Sequence, residues 1–376
     1  MKLNKKDYLR IYGIIKNKVV IGPKTVNIHL NNYCNYKCLF CWYHSPLVKS
    51  NYKRKKELDF GILKRVIDEC AEMGVEEISL ESEGETFLYP KIIELISYIK
   101  SKGMKVGAYT NGFFENIDIE NLKDVDWLAV NLSAGTERTY RVLQAGGRAN
   151  AFRKVIKNLM HICALTKRYG KPKVWIVYII TELNYKEIEK IIKICAKLCI
   201  RYVKFKLIEA TTETKMLMPS KSAIEFLKNA ILKIKTKKYP LSHNLDEILS
   251  IISQQDFLKN CYGIEKTDLH NDRYFYFHNT QCEQYKCYIP WFKSYIDIEG
   301  RVIAPCDNGG MFIMGNIKNE SFKDIWFSKK YMEIRIRAKT ELDLKDKIWQ
   351  QCRYCTNTRF NKNIYELIKN IEKRRR

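Results

Sequence analysis

The sequence predicts an α/β protein: a parallel sheet with helices packed outside it, followed by a small C-terminal α+β domain. Two observations predict this. Short apolar runs alternate with amphipathic helical patterns between residues 25 and 207, and the last quarter switches to a hairpin pattern with clustered cysteines. Alternation of the first kind places strands side by side with crossover helices covering them. At 376 residues and 46% hydrophobic, the chain can bury a sizeable core and still carry a second, smaller domain.

The candidate strands are 25–30, 77–80, 105–109, 127–132, 174–180 and 202–207, each bounded by polar or turn residues. A helix should start after Asp59 as N-cap. Its apolar face would be Phe60, Leu63, Val66, Ile67, Cys70 and Met73, with Gly74 as the stop. A later helix should begin at Asn184, with Glu187 completing a capping box and Ile188, Ile191, Ile192, Cys195 and Leu198 facing inward. Residues 219–260 read as largely helical. Residues 293–298 and 301–304, joined at Gly300, read as a β-hairpin; a short helix at 321–326 and a basic C-terminal helix follow. Six parallel strands allow an open doubly wound sheet or a partial barrel, and both place chemistry at the C-terminal strand ends.

Formal net charge is +25, from 67 Lys plus Arg against 42 Asp plus Glu. That balance suits polyanionic partners, but the charge is spread along the chain as solvated lysine faces would be. No secretory signal and no apolar run long enough to cross a bilayer is visible, so a cytoplasmic protein is expected. Thirteen cysteines in a reducing compartment point to metal or catalysis rather than disulfides. Cys70, Cys163, Cys195 and Cys199 fall in helical patterns and are expected to be buried small hydrophobes.

Cys34, Cys38 and Cys41 lie within eight residues, directly after the first strand. A structural zinc site takes four protein ligands, and His44 is the only nearby fourth candidate. Three thiolates on a [4Fe–4S] cluster leave one iron open for a substrate. This Cys-x3-Cys-x-aromatic-Cys segment strongly resembles the signature of the radical S-adenosylmethionine (SAM) family. The resemblance covers about residues 25–210 and implies a partial (β/α)6 barrel. It also implies a cluster on Cys34, Cys38 and Cys41 that binds SAM and cleaves it to a 5′-deoxyadenosyl radical. A reducing donor such as flavodoxin or ferredoxin is implied with it.

The same resemblance places Phe40 near the SAM adenine. Glu81-Ser82-Glu83-Gly84-Glu85-Thr86 resembles the family's Gly-Gly-Glu-Pro loop; Gly84 and Glu85 match it, while Glu83 and Thr86 depart from it. Thr110-Asn111-Gly112 resembles the usual ending of the third strand, which brings in Asn111. Asn131 and Ser133, on one face by period-two alternation, would bind the SAM ribose or carboxylate. Trp42, Tyr43 and His44 could line the cavity but read more readily as packing. Trp291 reads as core.

Cys287 is followed by 18 residues and Cys306, then by 45 residues and Cys352-Arg353-Tyr354-Cys355. Four cysteines can ligate a [4Fe–4S] cluster or a zinc ion, and spacing does not choose. A hairpin, Gly315-Asn316-Ile317, a helix with Trp326 and a Cys-x2-Cys resemble the SPASM/twitch extension of radical SAM enzymes. That implies one auxiliary [4Fe–4S] cluster, with Cys261 and Cys282 as further possible ligands. The organisation is then an N-terminal extension at 1–24, a radical SAM core at 25–215, a helical connector at 216–280, an auxiliary-cluster domain at 281–360 and a basic helix at 361–376. The expected substrate is a small molecule or peptide. Competing readings are a radical SAM enzyme acting on nucleic acid, suggested by the charge, and a non-catalytic zinc or iron–sulfur protein, which would not bind SAM.

Overall fold

The computed structural model describes residues 3–49, 54–115, 117–253, 274–275, 286–304, 312–340 and 357–373. The chain opens with α1 (Lys5–Lys16), closed at its start by a reciprocal capping box of Asn4 and Asp7. The core follows as β1 (Thr25–His29), α2 (Phe60–Glu72), β2 (Glu77–Glu81), α3 (Ile92–Ser101), β3 (Lys105–Thr110), β4 (Trp127–Asn131), α4 (Glu137–Leu143), α5 (Ala151–Tyr169), β5 (Lys173–Ile180), α6 (Ile188–Lys197) and β6 (Tyr202–Leu207). Next come β7 (Ala210–Thr211), α7 (Lys221–Lys235), β8 (Ser242–His243), α8 (Leu245–Ile252) and β9 (Tyr274–Phe275). The C-terminal part holds β10 (Lys293–Ile296), β11 (Arg301–Ala304), β12 (Phe312–Asn316), α9 (Phe322–Phe327), α10 (Lys329–Thr340) and α11 (Thr358–Lys373).

All six predicted strands form. They are neighbours in chain order, β1 through β6, and every pair is parallel. A doubly wound sheet must reverse direction at a switch point. This sheet never does, so its crossover helices share one face. That face carries Val26, Ile28, Ile78, Leu80, Val106, Leu128, Val130, Ile176, Val203 and Phe205, all in the main core. Asn27, Gly107, Trp127, Trp175 and Lys204 take the alternate positions and face the concave side.

The sheet curls. From β1 to β6 there are five strand-to-strand steps, which would separate the two by about 24 Å if flat. Yet the loop after β1 bonds to the segment after β6, where Trp42 Nε1 donates to the Glu209 carbonyl at 2.7 Å, as a curled, barrel-like sheet allows.

Asp59 caps α2 by accepting from Ile62 N at 2.9 Å, and Leu63, Val66, Ile67 and Cys70 are fully buried. Each such aliphatic side chain contributes about 1.5–3 kcal/mol by leaving water. Gly74, at φ +79°, ends the turn. The capping box expected at Asn184 does not form. Residues 185–187 are a 3-10 turn, and Asn184 makes no side-chain cap. Its amide instead donates to the carbonyls of Ser133 and Ile179, and Glu187 binds the segment after β4. Tertiary partners outcompete the local cap. Cys70, Cys163 and Cys195 are buried as expected, but Cys199 is exposed, in a left-handed turn at φ +61° that closes α6.

The predicted hairpin forms, with Gly300 at φ +78° between β10 and β11. β12 adds a third antiparallel strand, and β10 pairs in parallel with β1. The C-terminal strands therefore extend the barrel sheet. α9 forms at the predicted short helix, and Trp326 Nε1 donates to the Ile21 carbonyl at 3.0 Å. Trp291 is buried between α1 and α11, as expected of a core residue. No helix among the described residues is long and apolar enough to cross a membrane.

Candidate functional site

The segment after β1 does not run directly into a helix. It lies across the C-terminal ends of the strands, and its hydrogen bonds show what holds it there. Glu85 N donates to the Tyr33 carbonyl at 2.9 Å, in the segment after β2. Asn111 Nδ2 donates to Asn35 Oδ1 at 2.8 Å, after β3. Leu39 N donates to the Leu143 carbonyl at 2.9 Å, and the Tyr140 and Tyr36 hydroxyls meet at 3.1 Å, both from α4. Trp42 Nε1 donates to the Glu209 carbonyl at 2.7 Å, after β6. A loop tied to four separate strand ends has few alternative positions.

That loop carries all three cysteines. Tyr36 N donates to Cys34 Sγ at 3.4 Å, and Tyr43 N and His44 N donate to Cys41 Sγ at 3.4 and 3.3 Å. Burial pushes the Cys34 thiol up to about 12, with the Glu85 carboxylate adding to it. Burial also raises Cys38 and Cys41, and Cys38 is raised further by its two neighbours. The bare thiols therefore hold their protons, and iron loading must release them. Three half-buried cysteines on one anchored loop, with N–H groups aimed at two of the sulfurs, fit a cluster that takes three protein ligands. Among the described residues no group of three His, Cys, Asp or Glu side chains is gathered to hold a single metal ion.

Glu85 is buried beside the loop. Its carboxylate accepts from Thr110 Oγ1 at 2.6 Å and Asn111 N at 2.7 Å. Burial still pushes its pKa above the usual carboxylate range. The Glu85 side chain therefore locks β3 to the segment after β2. Gly84 is forced by sterics: a Cβ there would collide with the Tyr33 backbone. Glu83, which stands where the family pattern has glycine, reaches back with Oε1 to within 3.9 Å of His29 Nδ1. His29 Nε2 also lies 3.6 Å from Glu81 Oε2. Glu81 accepts from Ser79 at 3.0 Å and from Asn27. Burial pushes Glu81 upward, but His29, Ser79 and Asn27 together hold it below the usual range. This group of two acids and a histidine faces the concave side.

Phe40 is buried in the main core beneath the loop. Asn131 ends β4, and Ser133 Oγ donates to its Oδ1 at 2.9 Å while accepting from Ile179 N at 2.9 Å. Ser133 is fully buried, so its hydroxyl positions Asn131. Gln144 completes the arrangement by accepting from Ser133 N at 2.5 Å and donating to the Asn131 carbonyl at 3.1 Å. His44 Nε2 contacts the Glu83 carbonyl at 3.1 Å, and burial lowers its pKa. Sequence reasoning missed Asn35 and Gln144 and read Glu187 only as a helix cap. Glu187 accepts from Gly135 N at 2.7 Å and from the Thr136 and Thr139 hydroxyls at 2.8 and 2.9 Å. A lone polar residue in a helix or loop gives no sequence signal of such a contact. A cleft of about 340 Å³ is lined by Glu85, Phe87, Tyr89, Phe113 and Phe114. No cysteine borders it.

At the other candidate centre, Cys287 is buried with Ile289, Tyr295, Ile303 and Ala338, and its N–H donates to the Ala338 carbonyl at 2.9 Å. Cys306, Cys352 and Cys355 lie outside the described residues, as do Cys261 and Cys282. Tyr295 is the register partner of Asn27, so Cys287 packs on the concave side of the sheet.

Residues 28–195 match the radical SAM superfamily, and residues 287–356 match the SPASM iron–sulfur cluster-binding domain. The first implies SAM and a [4Fe–4S] cluster, the second an auxiliary iron–sulfur cluster. A SAM-dependent nucleotide dehydratase of Flammeovirga pacifica is 31% identical over 34% of this chain and 45% of its own length. The chain spans only 36% to 60% of the length of the first four such dehydratases. A protein of Pyrococcus furiosus named as modifying the cofactor of tungsten-containing aldehyde ferredoxin oxidoreductase is 20% identical over 85% of both chains. SuiB of Streptococcus suis, solved with SAM bound, superposes with a TM-score of 0.62 at 17% identity, over 94% of this chain and 78% of SuiB. At that identity the likeness shows the fold.

Proposed function

From a chain that carries a radical SAM domain followed by a SPASM iron–sulfur domain, we propose an enzyme that abstracts hydrogen from a small molecule or peptide and so oxidises or otherwise modifies it. A cluster on Cys34, Cys38 and Cys41, with SAM bound, would supply the reductive cleavage that yields methionine and a 5′-deoxyadenosyl radical. One observation carries the reading: the loop with the three cysteines is fastened across the open end of a curled sheet by bonds to the segments after β2, β3, β4 and β6.

The chain's own residues would do the positioning. Glu85, Gly84 and Asn111 fix one side of the SAM site, Asn131 and Ser133 the other, and Phe40 backs the adenine. The curled sheet holds the substrate beneath the loop and limits water there, so that a radical meets substrate first. Cys287, Cys306, Cys352 and Cys355 would hold one auxiliary [4Fe–4S] cluster, able to take the second electron of a net oxidation. Electrons would arrive from a donor such as flavodoxin or ferredoxin. The names of the relatives support a nucleotide or cofactor substrate. SuiB, also solved with its precursor peptide SuiA, supports a peptide.

The test is anaerobic reconstitution with iron and sulfide, then dithionite reduction with SAM present. The wild type should form 5′-deoxyadenosine. A Cys34/Cys38/Cys41→Ala triple variant should lose that activity and keep about four irons. About eight residual irons would mean two auxiliary clusters and recruit Cys261 or Cys282. Stoichiometric zinc with no SAM cleavage would overturn the reading.

A further inference from the structure

One stretch departs from the even spread of basic charge. Residues 137–157, from α4 into α5, hold six Lys or Arg and one acid, Glu137, against 67 to 42 in the whole chain. Arg138, Arg141, Arg148, Arg153, Lys154 and Lys157 are all exposed. Arg148 pairs with Glu115 at 2.8 Å. Arg153 pairs with Glu137 at 2.9 Å, which ties α5 to α4 so that the two helices present one surface. The other four form no ion pair among the described residues. Val142 stands half exposed among them, and the turn at Gly146 and Gly147 has no side chains to hold a partner off.

This surface backs directly onto the cysteine loop. Leu39, between Cys38 and Cys41, donates its N–H to the Leu143 carbonyl at the end of α4 at 2.9 Å. Arg148 Nη2 donates to the Asn35 carbonyl at 3.3 Å. Gly146 packs on Lys37, which is exposed and adjoins Cys38; a Cβ on Gly146 would fall 3.1 Å from that of Lys37. Between α5 and the loop lie the rings of Phe152, Tyr140 and Tyr36, with centroids 5.5 and 6.0 Å apart in turn. A polyanionic substrate bound here would be walled off from the concave side by α4 and the loop. A carrier that delivers electrons needs no entry to that side. It needs only to approach Cys38 closely, because electron transfer falls off steeply with distance. A small apolar centre among like charges suits a transient protein contact, in which complementary charge steers and orients the partner.

We propose that the basic surface of α4 and the start of α5 is the docking site of the electron donor, and that the donor is an acidic one-electron carrier protein of the flavodoxin kind. This rests on the radical SAM reading above and adds where the donor binds and what charge it carries. One electron leaves the carrier's reduced flavin and is taken up at the three-cysteine centre; no bond is made or broken.

The experiment is anaerobic calorimetry on the reconstituted full chain with an acidic flavodoxin, and with the same flavodoxin after its carboxylates are amidated. The acidic form should bind, more weakly as salt rises, and the amidated form should not. Arg138→Gln/Arg141→Gln/Lys154→Gln should weaken binding about tenfold, the loss of three exposed charge contacts. Lys221→Gln/Lys233→Gln/Lys238→Gln removes the same charge from exposed positions on and just after α7 and should leave binding unchanged. 5′-Deoxyadenosine formation is then followed with reduced flavodoxin and with dithionite. The α4–α5 variant should be slow with limiting flavodoxin, recover at saturating flavodoxin and match the wild type with dithionite. No flavodoxin binding, binding that survives in the α4–α5 variant, or an equal loss in the α7 variant overturns the inference. So does tighter binding, through the same three residues, of a single-stranded RNA or of phosphatidylserine vesicles. If dithionite yields 5′-deoxyadenosine and docking fails, only this inference falls. If dithionite yields none from the wild type, the radical SAM reading falls instead.

Discussion

Asn111 Nδ2 donates to Asn35 Oδ1 at 2.8 Å, which fastens the end of β3 to the loop that carries the three cysteines. Asn35 returns a bond to the Phe113 carbonyl at 3.3 Å, and Asn111 Oδ1 accepts from Phe113 N at 2.8 Å. Removing the Asn111 side chain takes these partners from Asn35 Oδ1 and Phe113 N. Asn111→Ala should cost about 1–2 kcal/mol of stability. It should also weaken SAM binding while the reconstituted protein keeps its iron. Equilibrium dialysis with SAM and iron analysis check this. Unchanged SAM affinity would remove Asn111 from the site.

Gly84 has no room for a methyl group, because its Cβ position falls on the Tyr33 backbone one residue before Cys34. Gly84→Ala must push the cysteine loop and the segment after β2 apart. The expected outcome is a loss of about 1–3 kcal/mol by thermal unfolding. Iron uptake at the first cluster should fall with it, while Gly103→Ala, with open space around its Cβ, should leave iron uptake intact.

Glu81 provides a pH-dependent test. His29, Ser79 and Asn27 hold its buried carboxylate below the usual range. A carboxylate with a depressed native pKa stabilises the fold fully above its unfolded pKa, about 4.3, and that contribution is lost as pH falls toward the native value. Glu81→Gln should therefore lower the melting temperature clearly at about pH 6 and by less at about pH 3. A deficit that stays the same or grows on acidification would contradict the arrangement.

Arg335 is fully buried, with its guanidinium 4.0 Å from the Trp326 ring centroid and 3.9 Å from that of Tyr331. Nε donates to the Pro290 carbonyl at 2.9 Å, but Nη1 and Nη2 have no partner among the described residues. Burial pushes its pKa down to about 9. A charge stacked on rings but short of hydrogen bonds contributes little beyond its packing. Arg335→Met, which keeps most of the volume, should stay within about 1 kcal/mol of wild type. Arg335→Ala should lose about 2–4 kcal/mol through the cavity it leaves. Chemical denaturation of the two variants separates these outcomes.

The sequence by itself determined the six parallel strands, the Asp59 cap, the hairpin at Gly300 and the cysteine triplet. Each depends on a short-range pattern: period-two or helical spacing of apolar residues, a cap before a helix, or thiols spaced to wrap one centre. Only the tertiary structure decided what those patterns meet. It turned Asn184 and Glu187 from a local cap into partners of the segment after β4. It sent the Glu83 carboxylate toward His29 and joined β10 to β1. It also laid Trp127 over Gly107. These contacts join residues far apart in the chain. Their partners are set by how strongly the sheet curls and by which bond wins when a side chain has both a local and a distant option, and no local pattern encodes either.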